Sequence, residues 1–103
     1  QNKFTISIKK LNKHLINADL IINTTPINLI NIKNKNLIKK DAVLSDIVYK
    51  PKETTFLKNF PDNEKIYGIS MLLEQAILSF NFWFGFKPSL DIKLKSILDN
   101  KTK

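Results

Sequence analysis

The stretch GISMLLEQAILSFNFWFG, residues 68–85, is the longest uninterrupted helical pattern in the chain. At the α-helical step of about 100° per residue, Ile69, Leu72, Leu73, Ala76, Phe80, Trp83 and Phe84 share one broad apolar arc. Ser70, Glu74 and Asn81 gather in a narrow polar stripe, while Met71, Leu78 and Phe82 form a second apolar strip. A helix so nearly apolar all round is expected to be largely buried, with one thin face in water. Gln75 and Ser79 fall between the two apolar strips. A buried amide without a partner costs about 1–3 kcal/mol. Gln75 is therefore expected to bond a backbone carbonyl or trapped water, or else a polar ligand beside the helix, with Met71 one turn earlier on the same side. Position alone does not choose. Gly68, at the start, admits the close approach of a backbone or a cofactor.

Upstream, Leu20, Ile21 and Ile22 form the short continuous apolar run expected of a parallel strand covered on both faces. Asn23, Thr24, Thr25 and Pro26 follow directly, at the carboxyl end of that strand. In open α/β sheets ligands bind at this edge, although such a cluster also serves as a plain turn. Residues 42–48 read as the next buried strand, ended by Tyr49, Lys50 and Pro51, which puts Tyr49 at the same edge as Thr25. A tyrosine there can equally cap the core with its hydroxyl in water. Asp46 reads as a turn or loop anchor, not as a base. Thr54 caps a short helix through Phe56, Leu57 and Phe60, which Pro61 stops; Lys65, Ile66 and Tyr67 make a last brief strand.

The ends of the chain are plainer. Residues 4–8 alternate as a short strand, residues 9–17 allow a helical turn or two, and residues 31–40 make a surface connection with a helical turn at 36–38. Ser89 is expected to cap a final amphipathic helix over 90–98, with Ile92, Ile97 and Leu98 on the body and fraying beyond Asp99. The fold class implied is α/β: the second half of a doubly wound (Rossmann-like) parallel sheet with C-terminal helices. The G-x-G-x-x-G turn that cradles a pyrophosphate does not occur, since Gly68 and Gly85 are the only glycines.

At 103 residues the chain has room for one small domain, and 43% hydrophobic residues is ordinary for a folded one. The net charge of +8 invites a nucleic-acid-binding reading. Against it, all 17 basic residues are lysines, and base readout and bidentate phosphate grips favour arginine. The charge would still attract an anionic cofactor or substrate. With no cysteine there is no disulfide or thiol nucleophile, and the lone His14 sits in a polar segment with no metal-ligand cluster around it. No apolar run reaches the ~20 residues of a membrane span, and nothing resembles a signal peptide. Cytoplasm is the expected compartment.

Gly68, Met71, Leu72, Gln75, Ala76, Ser79, Phe80, Trp83, Gly85 and Pro88, in that order and spacing, resemble the closing segment of shikimate dehydrogenases. ADLIINTTPI at 18–27, and DIVYKP at 46–51 followed by Glu53 and Thr54, resemble two further stretches of that family. The resemblance implies an NADP-dependent oxidoreductase that exchanges a hydride between NADPH and 3-dehydroshikimate, giving shikimate. It implies that residues 1–103 are a C-terminal fragment, a partial NADP-binding domain without the substrate domain and the Gly-rich loop. The family's proton-transferring lysine and aspartate belong to the substrate domain, so no catalytic residue is expected here and activity of these residues alone is not. Carried over residue by residue, Tyr49 and Gln75 would bond the substrate, and Ile47 (through its backbone), Gly68 and Met71 would hold the nicotinamide end, with Thr24 and Thr25 beside it. Asn28 and Ser70 depart from glycines usual in the family, which alters the backbone freedom at both places. Alternatives are a paralogue acting on quinate or preferring NAD, and a small basic nucleic-acid-binding module.

Overall fold

The computed structural model of the chain describes residues 10–28, 30 and 32–103. Helix α1 (Leu11–Leu15) leads into strand β1 (Leu20–Asn23); a 3-10 turn (Ile32–Leu37) leads to β2 (Val43–Asp46); helix α2 (Thr55–Lys58) leads to β3 (Lys65–Ile66). Helices α3 (Gly68–Phe84) and α4 (Ile92–Lys101) close the chain. The expected strand at residues 4–8 lies outside the described residues. The helical turn in the connection before β2 comes earlier than expected, and Ile38 just after it is buried in the core.

The three strands form one parallel sheet in the order β1-β2-β3. Leu20 pairs with Val43, Ile21 with Leu44 and Ile22 with Ser45, while Leu44 and Ser45 pair with Lys65 and Ile66. Strands that advance steadily in one direction, joined by right-handed crossovers, receive both connections on the same face. The core agrees: Ile21 and Leu44 on one face of the sheet pack with Leu15, Ile30, Ile38, Phe56, Leu57 and Phe60. The rings of Phe56 and Phe60 meet edge to face at 5.9 Å. Burying each such side chain stabilises by about 1.5–3 kcal/mol.

The other face does not behave as a covered parallel sheet. Leu20 and Ile22 are half exposed, as is Ile66 beside them, so the expectation of β1 covered on both faces is corrected. The one-directional strand order supplies no connection to that side.

Helix α3 has the expected bounds. Its C-terminus closes on Gly85, whose φ of 75° is the left-handed cap that glycine adopts without strain, with the Gly85 amide donating to the Asn81 carbonyl at 2.9 Å. Its burial differs from the expectation of a largely buried helix: only Gly68 and Ile69 are buried, and Phe82 is 86% exposed. The ring of Phe80 packs on those of Phe84 and Phe86, with centroids 4.6 and 5.2 Å away, so the end of the helix clusters on itself and not on the sheet. The radius of gyration, 16.1 Å, exceeds the roughly 13 Å of a compact chain of this length, as a projecting helix requires.

Helix α4 also differs in detail. Asp91, not Ser89, is its cap, its carboxylate accepting from the Leu94 amide at 2.6 Å. Ile92 faces solvent. Beyond Asp99 the chain is held: Thr102 is buried, its carbonyl accepts from the Lys52 amide, and the Lys52 ammonium bonds Asp99 at 2.9 Å while lying 5.2 Å from the Tyr67 ring centroid.

Candidate functional site

The carboxyl edge of the sheet is built by three departures of the chain: from β1 at Asn23, from β2 at Asp46 and from β3 into Gly68. Each carries residues singled out from the sequence.

At the β1 exit, the Asn23 side chain folds back over the turn. Its Oδ1 accepts from the Thr25 amide at 3.1 Å and the Thr25 hydroxyl at 2.7 Å, the local bonding by which Asn favours turns. At the β2 exit, Asp46 does the same for Val48, accepting its amide at 3.1 Å. Asp46 is 2% exposed, and its other oxygen accepts from the Thr54 hydroxyl at 2.7 Å and the Asn23 amide group at 3.3 Å. Thr54 in turn caps α2 as expected, accepting from Leu57. An anchor is what the sequence suggested for Asp46, but its partners in two other segments could not be read from it.

Gly68 begins α3 directly against the β2 exit. A Cβ placed on it would lie 2.6, 2.7 and 2.7 Å from the carbonyl oxygens of Asp46, Ile47 and Val48. Only a residue without a side chain permits this crossing. The Ile47 amide is already spent on the Asn23 carbonyl at 3.1 Å, so the backbone group Ile47 can offer a ligand is its carbonyl, on the side of Gly68.

Two cavities flank the Asn23 turn. One, of about 180 Å³, lies between the β1 and β2 exits and is lined by Asn23, Thr25, Asp46, Val48 and Thr54 among others. The second, of about 220 Å³, is more apolar, with Leu11, Leu15, Ile22 and Ile30 beside Thr24 and Thr25. The structure thus brings Thr24, Thr25, Ile47 and Gly68 to one rim of the sheet. Met71, one turn into α3, is exposed.

Tyr49 and Gln75 stand differently. Tyr49 is 44% exposed and Gln75 is exposed, and neither lines these cavities. The expectation that Gln75 is a buried amide in need of a partner is corrected, because water reaches it where α3 leaves the body. Among the described residues no group of His and carboxylates could hold a metal ion, and no helix is long and apolar enough to cross a membrane.

A parallel sheet in sequential strand order, with polar turns gathered at its carboxyl rim, defines the class: one half of a doubly wound α/β dinucleotide-binding fold. The family model described as the Shikimate 5'-dehydrogenase C-terminal domain matches residues 68–95. A shikimate dehydrogenase (NADP(+)) of Methanococcus aeolicus is 42% identical over 96 residues, covering 85% of this chain and 34% of the relative. A solved shikimate dehydrogenase in complex with NADP+ superposes with a TM-score of 0.69 at 27% identity, over 82% of this chain and 32% of that one. A quinate dehydrogenase from Corynebacterium glutamicum in complex with NAD has a TM-score of 0.72 over 92% of this chain and 34% of that one; at 23% identity it shows the fold alone. Over most of its length the chain is thus similar to part of shikimate dehydrogenases, and its residues 68–95 match that family's C-terminal domain. It spans about a third of the length of the relatives it matches.

Proposed function

We propose that these residues form the second half of the NADP-binding domain, with the closing helices, of a cytoplasmic NADP-dependent shikimate dehydrogenase. The reaction is hydride exchange between NADPH and 3-dehydroshikimate, giving shikimate and NADP in aromatic amino-acid biosynthesis. The observation that carries the proposal is the side-chain-free crossing of Gly68 over the carbonyls of residues 46–48. It brings the start of α3 and the β2 exit together at the rim, so that Gly68 and the backbone of Ile47 meet there.

When bound, NADPH would supply the hydride. The carbonyl of Ile47 and the backbone at Gly68 would receive the nicotinamide end, Met71 would cover it from α3, and the Thr24 and Thr25 turn would lie beside it. Tyr49 and Gln75 bond the hydroxylated acid. Their exposure suits groups whose partner is a substrate and not this chain. The +8 charge draws both anions toward the protein. Neither a Gly-rich turn nor the family's lysine and aspartate pair is assigned to these residues.

The test is NADPH consumption with 3-dehydroshikimate, measured for the 103 residues and for a chimera that joins them to the preceding two-thirds of the Methanococcus aeolicus relative. The chimera is expected to turn over and the 103 residues are not. A folded chimera inactive with this pair refutes the assignment, and turnover by the 103 residues refutes the account of where the chemistry lies.

A further inference from the structure

The buried carboxylate of Asp46 touches both strand exits, and no proposed contact with substrate or cofactor employs it. We propose that Asp46 is a positioning residue that sets the two cofactor-facing loops as one unit, by fixing the orientation of the Asn23 side chain and the path of the chain at Val48. The proposal rests on the reading of the rim given above.

The argument is one of donors and acceptors. A carboxylate only accepts, so the group of Asn23 that faces Asp46 must be its NH2, and it is, at 3.3 Å. That choice leaves Asn23 Oδ1 toward Thr25, where it accepts from both the amide and the hydroxyl. The NH2 group also reaches the Ile27 carbonyl at 3.3 Å, so the whole 23–27 turn takes its handedness of bonding from Asp46. The other carboxylate oxygen holds Val48, the neighbour of Ile47.

Asp46→Asn keeps the shape and breaks the logic. With its oxygen toward Asn23 and Thr54, its NH2 opposes the Val48 amide, donor against donor. Turned over, its NH2 opposes the NH2 of Asn23, which must flip and then opposes the Thr25 amide. One of the two loops is released either way. The exchanged pair Asn23→Asp with Asp46→Asn restores complementarity: a carboxylate at 23 accepts from the Thr25 amide and from the amide group at 46, whose oxygen keeps Val48, while the Thr25 hydroxyl, 2.9 Å from the Ile27 carbonyl, replaces the donor that position 23 loses.

In the chimera, Asp46→Asn is expected to raise KM for NADPH about tenfold, the equivalent of one lost hydrogen bond, to leave KM for 3-dehydroshikimate within about twofold, and to speed hydrogen exchange of the Thr25 amide, the Val48 amide or both. The exchanged pair is expected to recover most of each loss. Unchanged protection at Thr25 and Val48, or a double variant no better than the single one, overturns the proposal. So does an unmoved NADPH KM with both amides released, because the loops would then be coupled without serving the cofactor. A folded chimera with the wild-type residues that consumes no NADPH defeats the functional reading instead, and the amide exchange of the single and double variants then decides the coupling by itself.

Discussion

Gly68→Ala puts one methyl group where the chain leaves no room. The added carbon would stand 2.6 Å from the Asp46 oxygen and 2.7 Å from those of Ile47 and Val48. Even favourable carbon-to-carbonyl contacts sit at about 3.3–3.6 Å, so three atoms are each overlapped by about 0.6 Å or more. None can swing aside cheaply, because Ile47 is bonded to Asn23 and Val48 to Asp46. Overpacking of this kind costs about 1–3 kcal/mol, and the rigid surroundings argue for the upper half of that range. Alanine returns at most about 1 kcal/mol of helix propensity, leaving a net loss of about 1–2 kcal/mol. Chemical denaturation reads it as a lower midpoint with unchanged slope. Gly85 provides the contrast: nothing lies within 4 Å of its Cβ position, and the demand there is a φ of 75°. Asparagine, which tolerates that region, should be milder than alanine at 85 and worse than alanine at 68. Stability of Gly68→Ala at or above wild type, or the same ranking at both sites, refutes the close crossing.

Thr54→Val removes a helix cap and a donor to buried Asp46 together and should cost about 2 kcal/mol or more, whereas Thr54→Ser stays near wild type by the same denaturation measurement. Gln75→Ala should leave stability within about 0.5 kcal/mol, since the side chain is exposed, while raising KM for 3-dehydroshikimate and not for NADPH in steady-state kinetics of the chimera. The Lys39 ammonium is held above its ordinary value, chiefly by its bond to Asp19. A raised folded-state value means that any stabilisation from the pair is complete below the ordinary lysine range and lost as pH rises through the folded value. Asp19→Asn should lower the Lys39 midpoint in an NMR titration.

The helical period of 68–85 gave both ends of α3, because capping is local: Gly85 needs only its own φ. Burial is not local, and there the sequence misled. Periodicity says which residues of α3 share a face, but not whether another part of the same chain will lie against that face. Trp83 and Phe82 are as apolar as Phe56 and Phe60, yet only the latter pair sits under the sheet. The same holds for Gln75, whose position between apolar strips implied a partner only if the strips were covered. At the rim, the residue types were legible and their connections were not. Asp46 and Asn23 each announce a turn two residues on, whereas the bond between them depends on the pairing of β1 with β2 that sets Asn23 opposite Asp46.

That pairing also links the fold to the function proposed. In a parallel sheet the register that aligns the apolar pairs Ile21 with Leu44 carries forward by two residues to align Asn23 with Asp46. A slip of one residue would turn the core side chains to the wrong face and separate the amide from the carboxylate in the same movement. The apolar pattern that drives the strands together therefore determines the polar geometry of the rim. The crossing of Gly68 then brings the start of α3 against the backbone that the carboxylate holds. Core packing, the two turns and the helix entry are thus adjusted to one another through three adjacent strand ends, and a change at Asp46 or Gly68 should be felt at the others before it is felt in the distant part of α3.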